Sequence, residues 1–164
     1  RDTKSILIVV NQTRESFDPF QKYTYSGGRA LLFYATLELW CSVKGSIERT
    51  IRGKKRELGV YSKIQVKKNR ITGRDRTVVI PIYHSFGIDD IGSCVDYLVE
   101  EGQWKESGGF IKVVGLGPER KMRREQVVQY VEENELEGDL RELVKKVWDE
   151  VEAACEVRRR SRYV

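Results

Sequence analysis

Four aromatic side chains, Phe17, Phe20, Tyr23 and Tyr25, stand in a polar stretch ahead of the pair Gly27-Gly28, with Arg14, Lys22 and Arg29 interspersed. Rings among cations suit single-stranded nucleic acid: bases stack on the rings, each worth about 1–3 kcal/mol, and phosphates meet the cations. Glycine has no Cβ, so a strand can approach the backbone amides of Gly27 and Gly28 closely. The rings could instead cover their own core, but four of them in a polar loop favour a ligand. A second pair of interest is Lys68 and Arg70, which flank Asn69. Residues two apart in a strand face one side. Two cations on one side can clamp a triphosphate, or form a basic sheet face toward DNA or solvent.

The charge distribution points the same way. From Lys44 to Arg76 there are twelve basic residues against three acids, a net +9, so the rest of this +5 chain sums to −4. A concentrated basic stretch suggests a polyanion partner. Cys41, Cys94 and Cys155 are far apart, no Cys-x-x-Cys spacing exists, and His84 is the single histidine, so a zinc site is not expected. His84 has no acid or nucleophile motif beside it and is assigned no catalysis. The three cysteines read as reduced thiols of a cytoplasmic protein. No apolar run approaches the ~18 residues of a membrane span, and no membrane partner is expected. The chain opens at Arg1 without Met and without a leader-like segment, as a processed or trimmed chain would.

These residues need elements to position them. "SILIVV" (Ser5–Val10) reads as a strand buried on both faces. Residues 29–34 suggest a short helical turn. Residues 36–44 read as a strand with Leu37, Leu39, Cys41 and Val43 on one face. Residues 46–59 read as a charged, mobile loop or hairpin tip, and 60–68 and 77–83 as strands. Pro81 should put the second of these at an edge or a bulge. A helix capped by Asp89 or Asp90 should bury Ile91, Cys94, Val95, Leu98 and Val99, and end at Gly102. A hairpin is expected around Ser107-Gly108-Gly109. Two further helices follow: residues 120–133 burying Val127, Val128 and Val131, and 138–156 burying Leu140, Leu143, Val144, Val147, Trp148 and Val151.

The series Asn11-Gln12-Thr13-Arg14, loop, Gly27-Gly28, then Ala30, Leu31, Phe33, Tyr34 and Ala35 resembles the RecA family of recombinases. The similarity continues through "VKKNRI" (Val66–Ile71) and "FGIDDIGSCVDYLVEEGQW" (Phe86–Trp104); the latter stretch is also similar to phage recombinases. The motifs run in order over residues 5–104. The resemblance implies an α/β fold: the C-terminal part of a RecA-like ATPase core over 1–87, mostly strands in a mixed sheet, then a small, mostly helical α+β domain over 88–164. It implies a strand-exchange recombinase of homologous recombination and DNA repair, forming a nucleoprotein filament in the cytoplasm, nucleoid-associated or in a phage host.

The resemblance also assigns roles. Gln12 would sense the γ-phosphate of ATP. Lys68 and Arg70 would contact the nucleotide of the neighbouring protomer, and Phe33 would lie at the subunit interface. Arg14, Phe17, Phe20, Lys22, Tyr23, Gly27, Gly28 and Arg29 would bind single-stranded DNA, and Lys63 would serve a secondary site for duplex DNA. Arg70 stands where the family has Lys. Gln65, Leu32 and Glu38 stand where it tends to be basic, which weakens the expected duplex site. No Gly-x-x-x-x-Gly-Lys phosphate loop occurs in the chain, and the family's catalytic Glu and Walker B Asp lie upstream. ATP and Mg2+ would therefore be held mainly by an N-terminal half, and this chain alone should hydrolyse nothing. The alternative is a non-catalytic accessory or paralogue module that binds DNA or a recombinase partner.

Overall fold

The computed structural model describes residues 5–15, 23–25 and 30–156. Contacts divide the chain into two compact units, residues 1–41 with 64–78, and 42–63 with 79–164.

In the first unit, strands β1 (Thr13–Glu15) and β2 (Tyr23–Tyr25) pair antiparallel, Arg14 opposite Thr24. The expected polar loop therefore leaves and returns on a short ribbon. Helix α1 (Ala30–Tyr34) follows, close to the expected turn. The segment expected as a buried strand is not one. Residues 5–12 are outside any strand, and Ile6 is 89% and Val10 94% exposed. A strand exists only where another chain segment takes its hydrogen bonds, and no described strand pairs with this one. Strand β3 (Leu37–Ile51) begins here too. Its expected core face is bare: Leu37 and Cys41 are exposed, Leu39 is 56% exposed, and Val43, further along the strand, is 69% exposed.

The second unit contains the rest of β3 and most of strand β4 (Lys54–Asn69). Of the two readings of the charged stretch 46–59, loop or hairpin tip, the hairpin holds, and its strands run on through the stretch. Only Arg52 and Gly53 lie between the strands, at φ 53° and 74°. Two left-handed residues make the turn whose twist matches paired strands. Strand β5 (Thr77–Tyr83) lies beside β4, and Gly59 permits the approach: a Cβ there would fall 2.2 Å from the Ile82 carbonyl oxygen. Strand β6 (Gly87–Ile88) pairs with Ile82 and Tyr83 alone. Pro81 sits just past that pairing, where no donor is required of it, and its carbonyl accepts from the Asp89 N–H at 3.1 Å.

The sheet order is β3-β4-β5-β6. Its described pairings are antiparallel rather than mixed: β3 and β4 form a hairpin, β4 and β5 exchange Val66 N–H to Arg76 O and His84 N–H to Leu58 O, and β5 runs against β6. A parallel member needs a crossover partner, and the segment 5–10 that would supply one forms no strand.

Helix α2 (Asp90–Glu100) is capped by Asp89, whose Oδ1 accepts from Gly92 N–H at 2.8 Å, and Gly102 follows its end at φ 73°. The hairpin of β7 (Lys105–Ser107) and β8 (Phe110–Val113) turns at Gly108-Gly109 as expected. Residues 120–122, expected as the start of a helix, form β9 (Arg120–Met122) and pair with β8. Helix α3 (Arg124–Glu133) starts only after them, with the Gln126 side chain accepting from Arg123 N–H. Helix α4 (Glu137–Ala154) completes the body. Val95, Leu98, Trp104, Ile111, Val113, Leu116, Val127, Val131, Leu140 and Val147 form its core. The Trp104 indole N–H is satisfied by Val114 O at 2.8 Å. Trp148, expected in the core, remains 41% exposed on α4.

Candidate nucleic-acid interface

In the first unit, the chain runs from the β1–β2 ribbon to α1 and returns at the end of β4. Lys68, the penultimate residue of β4, donates to Leu32 O and, at 3.3 Å, to Phe33 O. Helix carbonyls without intrahelical partners carry partial negative charge, so an ammonium is well placed there. Arg70 lies just past the strand, and its N–H donates to Thr36 O at 3.0 Å. Its guanidinium sits 5.9 Å from the centre of the Phe33 ring. The two cations thus meet at α1, around Phe33, rather than through strand alternation.

Asn69 fixes the turn that follows β4. Its Oδ1 accepts from Ile71 and Thr72 N–H, while its amide donates to Thr72 Oγ1 and Arg74 O. One residue so uses its whole side chain to hold Arg70 against the end of β4. Phe33 is exposed and packs edge-on against Tyr34, the rings 5.4 Å apart.

Of the expected DNA-binding residues, Arg14 is exposed on β1, and Tyr23 lies on β2 opposite Glu15. Phe17, Phe20, Lys22, Gly27, Gly28 and Arg29 lie outside the described residues. Gln12 is exposed, ahead of β1, with its N–H on Asn11 Oδ1 at 2.9 Å. Alternation puts Gln65 and Lys67 on one face of β4 and Lys68 on the other. Lys67, which sequence reasoning passed over, lies 5.5 Å from the Trp40 ring, whose indole donates to Glu38 at 2.6 Å. Its position two residues after Gln65 was the signal available.

In the second unit, Lys63 is half-buried on β4. Two clusters there went unread in the sequence. Ser46 donates to Glu57 at 2.6 Å, and His84 lies 3.2 Å from the same carboxylate. The Ser46 hydrogen bond, with a smaller contribution from His84, holds the Glu57 carboxyl below its ordinary range. Nearer the helical body, the Arg124 guanidinium grips Asp96 with two bonds, at 2.7 and 2.9 Å, and reaches buried Asp89 at 3.1 Å. Bonding to Asp96, opposed by burial, raises the Arg124 pKa. These groups tie α2 to α3.

Cys41, Cys94 and Cys155 are free, and burial pushes the Cys94 thiol up. Among the described residues, no group of three or more side chains could hold a metal ion, and no helix is long and apolar enough to cross a membrane.

No family model matches the chain. It is similar to proteins of one class, RecA, from several bacteria. It is 34% identical to Protein RecA of Lactococcus lactis subsp. cremoris over 126 residues, which is 72% of this chain and 32% of that protein. Against Protein RecA of Rickettsia massiliae it is 30% identical over 154 residues, 88% of this chain and 43% of that protein. Against that of Ureaplasma parvum the identity is 27% over 110 residues, 66% and 32% of the two chains. The chain therefore spans a third to less than half the length of these relatives.

Proposed function

We propose that the chain is part of a RecA-type recombinase of homologous recombination and DNA repair, acting in the cytoplasm. It supplies the loop that holds single-stranded DNA, a pair of cations for a neighbouring protomer's nucleotide, and a small C-terminal domain beginning near residue 88. One observation carries the reading beyond sequence similarity: the apolar run Ile6–Val10 that leads into Asn11-Gln12 is exposed along its whole length. Contiguous exposed apolar surface marks a partner surface. A run of this kind is what an N-terminal half with its own sheet would cover.

The chain's own residues fit one side of a triphosphate. Lys68 spends two of its three N–H groups on α1 and keeps a third, while Arg70 presents an exposed guanidinium beside it. ATP with Mg2+, held mainly by the N-terminal half, supplies the phosphoryl group that is hydrolysed. Lys68 and Arg70 contribute positive charge, which counts most as charge develops on the leaving phosphoryl. Lys68 also anchors the carbonyl end of α1, and α1 follows the DNA ribbon in the chain. A phosphate drawing on Lys68 thus pulls on the helix that the ribbon leads into. Gln12, just ahead of the ribbon, would report the γ-phosphate through its amide, donating when phosphate is there and turning away when it is not.

A chimera tests this: the upstream part of the Lactococcus lactis RecA joined to this chain. Phosphate release should be stimulated by single-stranded DNA in the chimera and absent from the 164-residue chain alone. Lys68→Ala with Arg70→Ala should abolish it while filaments still assemble on DNA. Hydrolysis by the purified chain alone, or full activity in the doubly substituted chimera, contradicts the assignment. The engagement of Lys68 by α1 favours one other reading, an accessory module in which Lys68 is structural; that module would bind DNA yet leave the chimera inactive.

A further inference from the structure

The geometry points to a second nucleic-acid contact, built from residues other than the aromatic ribbon: the distal end of the β3–β4 hairpin is a phosphate-binding finger for duplex DNA. The inference rests on reading the chain as a DNA-handling protein. Between Glu48 and Glu57, five of seven charged residues are basic: Arg49, Arg52, Lys54, Lys55 and Arg56. All five are exposed.

The two faces of the hairpin differ. With two residues in the turn, Ile51 stands opposite Lys54, Thr50 opposite Lys55, and Arg49 opposite Arg56. One face then carries Ser46, Glu48, Lys55 and Glu57, and it is internally paired: Lys55 with Glu48 at 3.3 Å, Ser46 with Glu57 at 2.6 Å. The other carries Arg49, Lys54 and Arg56, with Arg52 at the apex. Among the described residues, none of these four has a carboxylate within ion-pair distance.

Folding alone disfavours this arrangement twice. Like charges directly opposite in a sheet repel. Arg52 holds φ 53° at a position that Asn, Asp or Gly occupies more readily. Both features put cations at the end of the hairpin, and an anionic ligand relieves the repulsion. Duplex DNA fits better than an acidic protein. Protein interfaces centre on buried aromatic or aliphatic anchors, and this face offers Ile51 alone. Phosphates ask only for spaced cations. A two-stranded ribbon also fits the major groove, about 12 Å wide.

The test is fluorescence anisotropy of the chain with a labelled 30-base-pair duplex and a 30-nucleotide single strand over a salt series. The variant carries Arg49→Gln, Arg52→Gln, Lys54→Gln and Arg56→Gln. Each lost duplex phosphate contact should flatten the log K against log salt slope by about 0.9, so the loss of all four should flatten it by about 3.6 and lower low-salt affinity by at least about tenfold. Single-strand binding should change far less. A second variant, with the three arginines replaced by Lys, keeps the charge and should keep the slope, which separates charge from folding. An unchanged duplex slope in the Gln variant overturns the finger, as does a Lys variant that loses as much as the Gln variant. A chain that binds the single strand but no duplex overturns the finger alone; one that binds neither overturns the DNA reading with it. Loss of polyglutamate binding with duplex binding intact overturns it in favour of an acidic protein partner.

Discussion

Replacing Arg124 by Ala removes the group that joins α2 to α3, and the cost follows from where its two carboxylates lie. Asp89 is 7% exposed. Its Oδ1 keeps the Gly92 N–H, but Oδ2 loses its only described partner. The Asp96 side chain is 47% exposed, so water replaces the guanidinium there. The buried orphan decides the outcome. Breaking a buried pair from one side costs about 3–5 kcal/mol, an exposed pair 0–1. Arg124 is itself 29% exposed, which places the expected loss toward the lower figure, about 3 kcal/mol. For a chain of this size that is a fall in Tm of roughly 6–12 °C. Urea unfolding followed by circular dichroism gives the free energy, and a thermal scan gives Tm. Adding Asp89→Asn to Arg124→Ala should recover part of the loss, since Asn still caps the helix but carries no charge. Arg124→Lys should fall between, because one ammonium cannot reproduce the fork. A loss near that of a surface pair, or no recovery on adding Asp89→Asn, would refute the reasoning.

Gly59→Ala should cost about 2–3 kcal/mol or more, since the new methyl meets the Ile82 carbonyl at 2.2 Å and backbone cannot yield as a side chain does; a stability equal to the parent in urea unfolding contradicts the close approach. Glu57 has its folded pKa below the ordinary 4.5, so its contribution to stability is present above that value and is lost as pH falls through the depressed folded pKa. Ser46→Ala removes the largest cause and should move the Glu57 carboxyl titration, followed by carbon NMR, up toward 4.5; an unmoved titration means the hydroxyl is not its partner.

What was legible in the sequence was local. Asp89, the apolar stripe after it and Gly102 specify α2 within one segment, and its cap and end fall where those residues placed them. Ser107-Gly108-Gly109 likewise specified its own hairpin. Arg120–Met122 did not, because pairing with β8 outweighs a helical pattern that reads acceptably by itself. Residues 46–59 read as a loop or a hairpin tip, but not as strand up to the turn, because charge hid how little is needed there: two left-handed residues at Arg52-Gly53 suffice to continue the strands. Ile6–Val10 has a strand's composition without a strand's partners, and composition cannot supply them. At the site, the spacing of Lys68 and Arg70 was visible. Their meeting at α1 was not, since Leu32 and Phe33 lie more than thirty residues earlier in the chain.

The most direct measurement of the DNA assignment is anisotropy of a labelled single strand titrated with the chain across a salt series. If about three phosphates are neutralised, log K should fall against log salt with a slope near −2. Phe17→Ala with Phe20→Ala should then weaken binding by about 1–3 kcal/mol per stacked base while the slope stays the same, because the rings meet bases and the cations meet phosphates. Absent or salt-independent binding by the parent chain would contradict the account. So would unchanged affinity in the doubly substituted chain, which would make the aromatic loop structural.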